Sequence, residues 1–325
     1  MDQKISILIP VYNEEETLFV LYDRLKEVLK TIHYDYEILF INDGSKDDSL
    51  KMMHKLREQD FRVSYLNLSR NYGKEIAMAA GFDYAIGDAV IIMDADLQDP
   101  PELIPQMIHY WEQGYDDVYA KRRSRAGESW FKKKTSYWFY RILQRLSKVE
   151  IQEDTGDFRL LSKRAVEAIK KIKEHHRYTK GFFSWIGFYK KEILFDRDPR
   201  IAGETKWNYY KLMELAIEGI VSFSAAPLRV STIIGFMMAT FSFVYMIYII
   251  IKTLLFGDPV AGYPSLVSLI LFLGGIQFII LGVIGEYLGR VFNESKNRPL
   301  YFVESYNEEQ KNDQLFNIRN DDNGY

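Results

Sequence analysis

The sequence predicts an α/β protein: a mostly parallel sheet covered by helices on both faces, followed by a C-terminal two-helix transmembrane hairpin. Three observations carry this. Up to about residue 200, short β-branched runs alternate with amphipathic helical stretches. Two later runs stay uncharged for longer than the about 20 residues that cross a bilayer core as helix. Acids, amides and an aromatic ring stand where the early apolar runs stop, which is where such sheets bind their ligands.

The first strand, "ISILIP", ends in "PVYNEE", giving Pro10, Tyr12, Asn13 and Glu14, and a helix is expected from Glu16 to Thr31. The second, "YEILFIN", runs into "NDGSKDDS", where Asp43 and Gly44 make a turn and Ser45 or Asp47 is expected to cap the next helix. "RVSYLNLS" is the third strand, and a helix over Lys74 to Ile86 follows. "DAVIIMD" is apolar because it is central in the sheet, so Asp94 and Asp96 lie on the loop at its carboxyl end, with Gln98 close behind. Asp99, ahead of Pro100 and Pro101, is expected to cap the helix that follows. "DDVYAKR" is the fifth strand and ends at Arg122. An aromatic ring and a carboxylate at adjacent strand ends can stack on a base and hold ribose hydroxyls. Asp94 and Asp96 can offer hard oxygen ligands to one Mg²⁺ or Mn²⁺, with the Gln98 amide oxygen as a third and diphosphate oxygens completing the shell.

Composition removes several classes. With 325 residues and a formal charge of −3 there is no electrostatic case for nucleic acid, and with no cysteine there is neither a disulfide framework nor a thiolate metal site. No G-x-G-x-x-G follows the first strand and no P-loop occurs. The start, "MDQKISILIPVYNEEE", lacks the form of a signal peptide, so synthesis into the cytosol is expected.

Val230 to Ile251 and Pro259 to Gly285 carry no charge, and only Lys252 and Asp258 stand in the connection. Arg229 precedes the first run and Arg290, Lys296 and Arg298 follow the second. Positive flanks stay inside, which implies a multi-pass protein of the cytoplasmic membrane with its main domain and both termini in the cytosol. Two buried core helices of a soluble domain are the alternative. Phe236, Tyr245, Gly274, Gly275 and Gly282 suit spans that pack together or form a homo-oligomer. "ESWFKKKTSYWFYRILQRL", residues 128 to 146, has the composition of a basic amphipathic helix at a membrane surface, with core packing as its rival. The expected division is a cytosolic domain over 1–206, an interfacial helix over 207–229, spans over 230–256 and 263–288, and a polar tail over 289–325, disordered beyond Val303.

The stretches "ISILIPVYNEEETL", "FINDGSKDDS", "NLSRNYGKEIAMAAG", "MDADLQDPPELI", "TGDFRLLSKRAV" and "AGETKW", in this order and followed by paired apolar runs, resemble a known family. It is that of the family 2 GT-A glycosyltransferases, of the dolichol-phosphate mannosyltransferase and bactoprenol glucosyltransferase type. The match covers about residues 4 to 300, and the two-run C-terminus resembles the bacterial polyprenyl-phosphate branch. The resemblance implies inverting transfer, dependent on Mg²⁺ or Mn²⁺, of a hexose from a nucleotide sugar to polyprenyl (undecaprenyl) phosphate. UDP-glucose leads as donor, with UDP-N-acetylglucosamine and GDP-mannose as alternatives.

Carried over residue by residue, the resemblance implies that Pro10, Tyr12, Glu14, Ile41 and Asp43 hold the nucleoside, with Lys74 nearby. Asp94, Ala95 and Asp96 would meet the nucleotide sugar, and Asp94, Asp96 and Gln98 the metal. Arg122 would face the donor phosphates with Arg125 beside it, and Arg200 and Lys206 would bind the acceptor phosphate. Asp157, in "EDTGDFRLL", matches the family's catalytic-region aspartate. It is either a general base or, because a phosphate acceptor is already an anion, an orienting group. A processive polysaccharide synthase would show a Q-x-x-R-W stretch and more spans, neither of which is present. A non-catalytic nucleotide-sensing scaffold would be expected to have lost a metal aspartate, and both are intact.

Overall fold

In the computed structural model, which describes residues 3–123, 155–175, 177–196, 226–256 and 262–307, the apolar runs become one eight-stranded sheet. Its strands are β1 (Lys4–Val11), β2 (Asp35–Asn42), β3 (Val63–Leu68), β4 (Ala89–Ile92), β5 (Asp117–Arg122), β6 (Thr155–Ser162), β7 (Lys190–Phe195) and β8 (Val303–Tyr306). They lie in the order β7-β5-β6-β4-β1-β2-β3-β8. All run the same way except β6 and β8, which are antiparallel to their neighbours. The expected mostly parallel sheet therefore contains one reversed strand in its middle and one at its edge.

Side chains alternate across the sheet and divide the core in two. Ile5, Ile7 and Ile9 of β1 face one layer, formed by α1 (Leu18–Leu29), α2 (Ser49–Gln59) and α4 (Ile104–Glu112). Leu8, with Leu39 and Ile41 of β2, faces the other, formed by α3 (Lys74–Tyr84), α5 (Lys163–Lys170) and α6 (Thr179–Trp185). Helix α1 presents Leu18, Leu21, Tyr22, Leu25 and Leu29 inward, the 3.6-residue spacing of an amphipathic helix. Helix α3 lies close on the sheet because residue 81 is glycine: a Cβ there would stand 2.6 Å from Leu8 Cδ1.

Pro10 is tolerated in a central strand because β4 stops pairing at Ile92, opposite Leu8. The last bond on that side is Met93 N–H to the Leu8 carbonyl (3.1 Å), so the missing proline N–H costs no ladder bond. Beside the reversed strand, Arg159 of β6 and Asp117 of β5 form an ion pair at 3.0 Å in which neither side chain has any exposure. The Arg159 guanidinium also lies 3.8 Å from the centroid of the Phe183 ring. The sequence reading missed this pair.

The two uncharged runs become α7 (Ala226–Phe256) and α8 (Tyr263–Ser295), which start earlier and end later, respectively, than expected. Phe236, Met237, Phe241, Phe272, Phe278 and Leu288 are exposed along them. Among the described residues, Phe272–Ser295 is long and apolar enough to cross a membrane, and the apolar part of α7, Val230–Tyr245, is shorter.

One expectation is overturned at the C-terminus. Val303–Tyr306 is ordered as a strand: β8 pairs antiparallel with β3, Leu66 opposite Tyr306 and Asn67 opposite Ser305. The backbone of an edge strand recruits it, and Tyr301, Val303 and Tyr306 pack on the α3-side core, which a reading of polarity alone does not register. The amphipathic segment 128–146, most of the interfacial helix 207–229 and the tail from 308 lie outside the described residues.

Asp117→Ala leaves the Arg159 guanidinium buried without its carboxylate, which is expected to cost about 3–5 kcal/mol. A large drop in the thermal unfolding midpoint of the purified protein is the expected outcome; an unchanged midpoint would show that the pair is dispensable.

Candidate functional site

The chain leaves β1 outward to β2 and β3, then crosses back to β4 on the other side of β1, so the strand order reverses between β1 and β4. A crevice opens at the carboxyl ends of strands at such a point. Two non-glycine residues with positive φ mark its rim, Asn13 (φ 56) after β1 and Leu97 (φ 63) after β4. Asparagine tolerates this conformation. Leucine does so at a cost of about 1–2 kcal/mol, a strain that collects at functional sites.

The loops after β1 and β2 are laced together. Asn13 N–H donates to Ser45 Oγ (3.0 Å), Glu14 N–H to Ser49 Oγ (2.9 Å) and Glu15 N–H to Asp47 Oδ2 (3.2 Å). In return, Lys46 N–H donates to Asn13 Oδ1 (2.8 Å) and Asp48 N–H to Glu15 Oε2 (2.8 Å). Ser45 therefore serves the neighbouring loop, whereas Asp47, the other expected cap, also accepts Ser49 N–H (3.1 Å) at the start of α2; the residue just before the helix, Asp48, makes no side-chain cap bond. Asp43 is buried, and its two oxygens accept Tyr72 N–H (2.7 Å) and Gly73 N–H (2.9 Å), which pins the loop ahead of α3. Gly44 (φ 65) allows the approach, since a Cβ there would meet the Arg70 carbonyl carbon at 2.5 Å.

Opposite this cradle stand the acids. The antiparallel register of β4 and β6 pairs Ile92 with Arg159. Just beyond the end of that pairing, Asp94 and Asp157 come close enough for one cation to reach both. Like charges opposite each other repel. Lys74, the first residue of α3, closes the gap, its Nζ 2.5 Å from Asp94 Oδ1 and 2.5 Å from Asp157 Oδ2. Asp157 is 8% exposed, and its Oδ1 is buried without a hydrogen-bond partner among the described residues. Lys180 Nζ donates to the Thr155 carbonyl (3.0 Å) close by. In the loop itself, Asp96 Oδ1 accepts Gln98 N–H (3.2 Å) and Asp99 Oδ2 accepts Asp94 N–H (3.3 Å). Asp99 thus turns back on Asp94, and the expected helix cap is absent: Pro100, which precedes the turn at Pro101–Leu103, has no side-chain cap bond.

Electrostatics follow from this crowding. Burial would raise the Asp157 carboxyl, but Lys74 and Lys180 outweigh it and hold it well below the usual carboxylate range. Burial would lower the Lys74 ammonium, but Asp157 and Asp94 hold it well above its ordinary value. Without a bonded cation the neighbours go the other way. Glu75, which accepts Thr179 N–H (3.0 Å), is raised to about 7 by burial and then by the Asp157 charge. Asp99 is raised to about 7 by burial and then by Asp94.

These residues fit a hard divalent cation. Their donors are carboxylate oxygens, and a positive charge is already resident among them in Lys74. No ready cage of three acidic or imidazole side chains exists among the described residues. That is ordinary for Mg²⁺, which is held by one or two carboxylates together with substrate phosphates.

Of the residues expected in the site, the structure brings Pro10, Tyr12, Glu14, Asp43, Lys74, Asp94, Ala95, Asp96, Gln98 and Asp157 to the crevice end of the sheet. Arg122 ends β5 at the same edge and is half-buried. The Ile41 side chain has 0% exposure and packs under α3, because alternation along β2 turns it into the core. Arg125, Arg200 and Lys206 lie outside the described residues. Sequence reasoning missed Glu75 and Lys180, and it placed Lys74 nearby without its bridge. A lysine opening a helix, against the helix dipole, was the available signal for that bridge.

Comparison with known proteins gives two family matches. The Glycosyl transferase family 2 model matches residues 6–170, and the GtrB C-terminal hairpin matches residues 226–291. An uncharacterized glycosyltransferase of Synechocystis is 52% identical over 303 residues, 93% of this chain and 95% of the relative. A protein of Shigella phage SfV named bactoprenol glucosyl transferase is 49% identical over 95% of this chain and all (100%) of its own length. A prophage bactoprenol glucosyl transferase homolog of Escherichia coli K12 is 47% identical over 92% of this chain and 98% of its own.

The raised Glu75 carboxyl sets a pH dependence. Between its ordinary 4.5 and about 7 the folded protein keeps a proton that the unfolded chain has lost, so stability falls as pH rises through that window. Glu75→Gln is expected to flatten this fall, leaving the share due to Asp99, in thermal melts taken across the window. An unchanged slope would mean that Glu75 is ionised in the folded protein.

Proposed function

The chain belongs to glycosyl transferase family 2, and on that premise we propose that it moves a hexose from a nucleotide sugar, UDP-glucose first, to polyprenyl phosphate. The product is a polyprenyl monophosphosugar at the cytosolic face of a membrane. The observation that carries the reading is the joining of Asp94, Asp157 and Lys74 at the crevice of a chain that also carries the hairpin. Relatives named bactoprenol glucosyl transferase support the acceptor and the sugar.

In this mechanism the laced loops after β1 and β2 hold the nucleoside, with Tyr12 to stack on the base. Asp94, Asp96 and Gln98 would hold Mg²⁺ or Mn²⁺, which would supply charge to stabilise the departing diphosphate. Arg122 faces the same diphosphate, and Arg200 and Lys206, with Arg125, grip the acceptor phosphate. A phosphate oxygen attacks the anomeric carbon in line, the bond from that carbon to the diphosphate breaks, and configuration inverts. No proton need be removed from an acceptor that is already an anion. Asp157, held ionised by Lys74 and Lys180, is a weak base, which favours its orienting role.

Membrane topology is part of the proposal. The chain beyond α8 returns to the domain it left: His175 N–H donates to Glu294 Oε1 (2.8 Å), His175 Nε2 lies 2.7 Å from the Arg298 carbonyl and Tyr301 donates to Asp83 Oδ2 (2.8 Å). Strand β8 then joins β3. The chain after the hairpin thus returns to the domain that precedes it in sequence, which supports an even number of crossings with both termini cytosolic.

Radiolabel transfer by purified membranes, with undecaprenyl phosphate and a panel of nucleotide sugars, tests the reaction. UDP-glucose should label the lipid best, and EDTA or Asp96→Ala should abolish labelling while expression persists. Neutralising Arg200 and Lys206 together should raise KM for the lipid and cut kcat/KM by well over about tenfold. Full activity in EDTA sinks the metal role, and no transfer from any donor to the lipid sinks the reaction.

A reporter inserted near Asp258 is expected to behave as external, and one fused after Asn317 as cytosolic. The reverse pattern would put the crevice on the side without nucleotide sugars and overturn the topology.

A further inference from the structure

Lys74 is a cation at a place where local structure disfavours one. It opens α3, at the positive end of the helix dipole, where acids are preferred. Gly73 before it, with φ 96, has no side chain to cap the helix. The ammonium nevertheless lies 2.5 Å from Asp94 Oδ1 and 2.5 Å from Asp157 Oδ2, so it occupies an oxygen of the first metal carboxylate. Lys180, the other lysine beside Asp157, is bonded to the Thr155 carbonyl instead.

A divalent ion arriving alone at Asp94 meets this resident charge. It must take Oδ1 from Lys74 or bind the other Asp94 oxygen, and either way it stands beside the ammonium without new negative charge to compensate. A diphosphate brings that charge. We propose that Lys74 is a tethered counter-ion: it occupies Asp94 in the metal-free enzyme and gives it up, keeping Asp157, only when metal and nucleoside diphosphate enter together. Metal and donor binding are then coupled, and by linkage each tightens the other by the same factor. The inference rests on the assignment of Asp94 and Asp96 as metal ligands.

The test is Mn²⁺ binding to the purified full-length protein, read from the electron paramagnetic resonance signal of free Mn²⁺ with and without UDP. Wild type should bind Mn²⁺ weakly alone and much more tightly with UDP. Lys74→Gln should bind Mn²⁺ alone about tenfold more tightly than wild type, and the gain due to UDP should shrink by a similar factor. Lys74→Arg, which keeps the charge, should resemble wild type. Lys180→Gln should change neither quantity appreciably, because Lys180 is not bonded to Asp94. If Lys74→Gln binds Mn²⁺ alone no more tightly than wild type, the counter-ion is overturned. Equal tightening by Lys180→Gln would also overturn it, since general charge would then be the cause. If no protein binds Mn²⁺ even with UDP, the metal assignment under the proposed function falls first and takes this inference with it.

Discussion

Two carboxylates facing each other across antiparallel strands hold together only with positive charge between them, and the crevice is organised around that constraint. The pairing of β4 with β6 ends at Ile92 opposite Arg159, and just beyond it Asp94 and Asp157 both reach the lysine at the start of α3. Their repulsion is answered by Lys74, whose side chain is 40% exposed while that of Asp157 is 9% exposed. The lysine stem stays partly in solvent while its ammonium enters the buried site and meets the carboxylate there. A lone buried carboxylate at this position would be driven toward protonation, as Glu75 and Asp99 are. With the lysine, Asp157 stays ionised and the acidic loop after β4 can wait beside it.

The opposite wall is stiff for a different reason. Five hydrogen bonds between the loops after β1 and β2 use both backbone donors and side-chain acceptors. Residues that read as turn formers or helix caps in isolation are spent on the neighbouring loop. Asp43 extends the lacing to the third loop by taking the Tyr72 and Gly73 N–H groups, and that loop ends at Lys74. The laced wall and the acidic wall are thus joined by the backbone of residues 70–73, so ordering the first helps to place the lysine of the second.

That same loop also touches the chain that follows the hairpin. Ser69 N–H donates to the Phe302 carbonyl (3.0 Å), just before β8 pairs with β3. The end of α8 is fastened through Glu294 and His175, and Tyr301 is fastened to Asp83 at the far side of α3. The crevice is consequently tied to the end of α8, as the proposed transfer to a membrane lipid would require.

Much of this was legible in the sequence. Periodicity gave β1 to β5 and the helices between them, because a run's burial pattern is written in its own residues. The abrupt end of "VIIMD" in Asp94 and Asp96 marked the crevice for the same local reason, and the uncharged runs marked α7 and α8. What the tertiary structure decided is which loop meets which. The reversal of β6, and with it the meeting of Asp94, Asp157 and Lys74 over 83 residues of chain, depends on strand order and register. Ile41 became core, Asp99 and Ser45 took neighbours' backbone groups instead of capping helices, and the polar stretch at 303–306 became a strand by pairing with an open edge. A sequence specifies what each segment can bury and donate; the partner that accepts is fixed only when the sheet closes and brings distant backbone within hydrogen-bond reach.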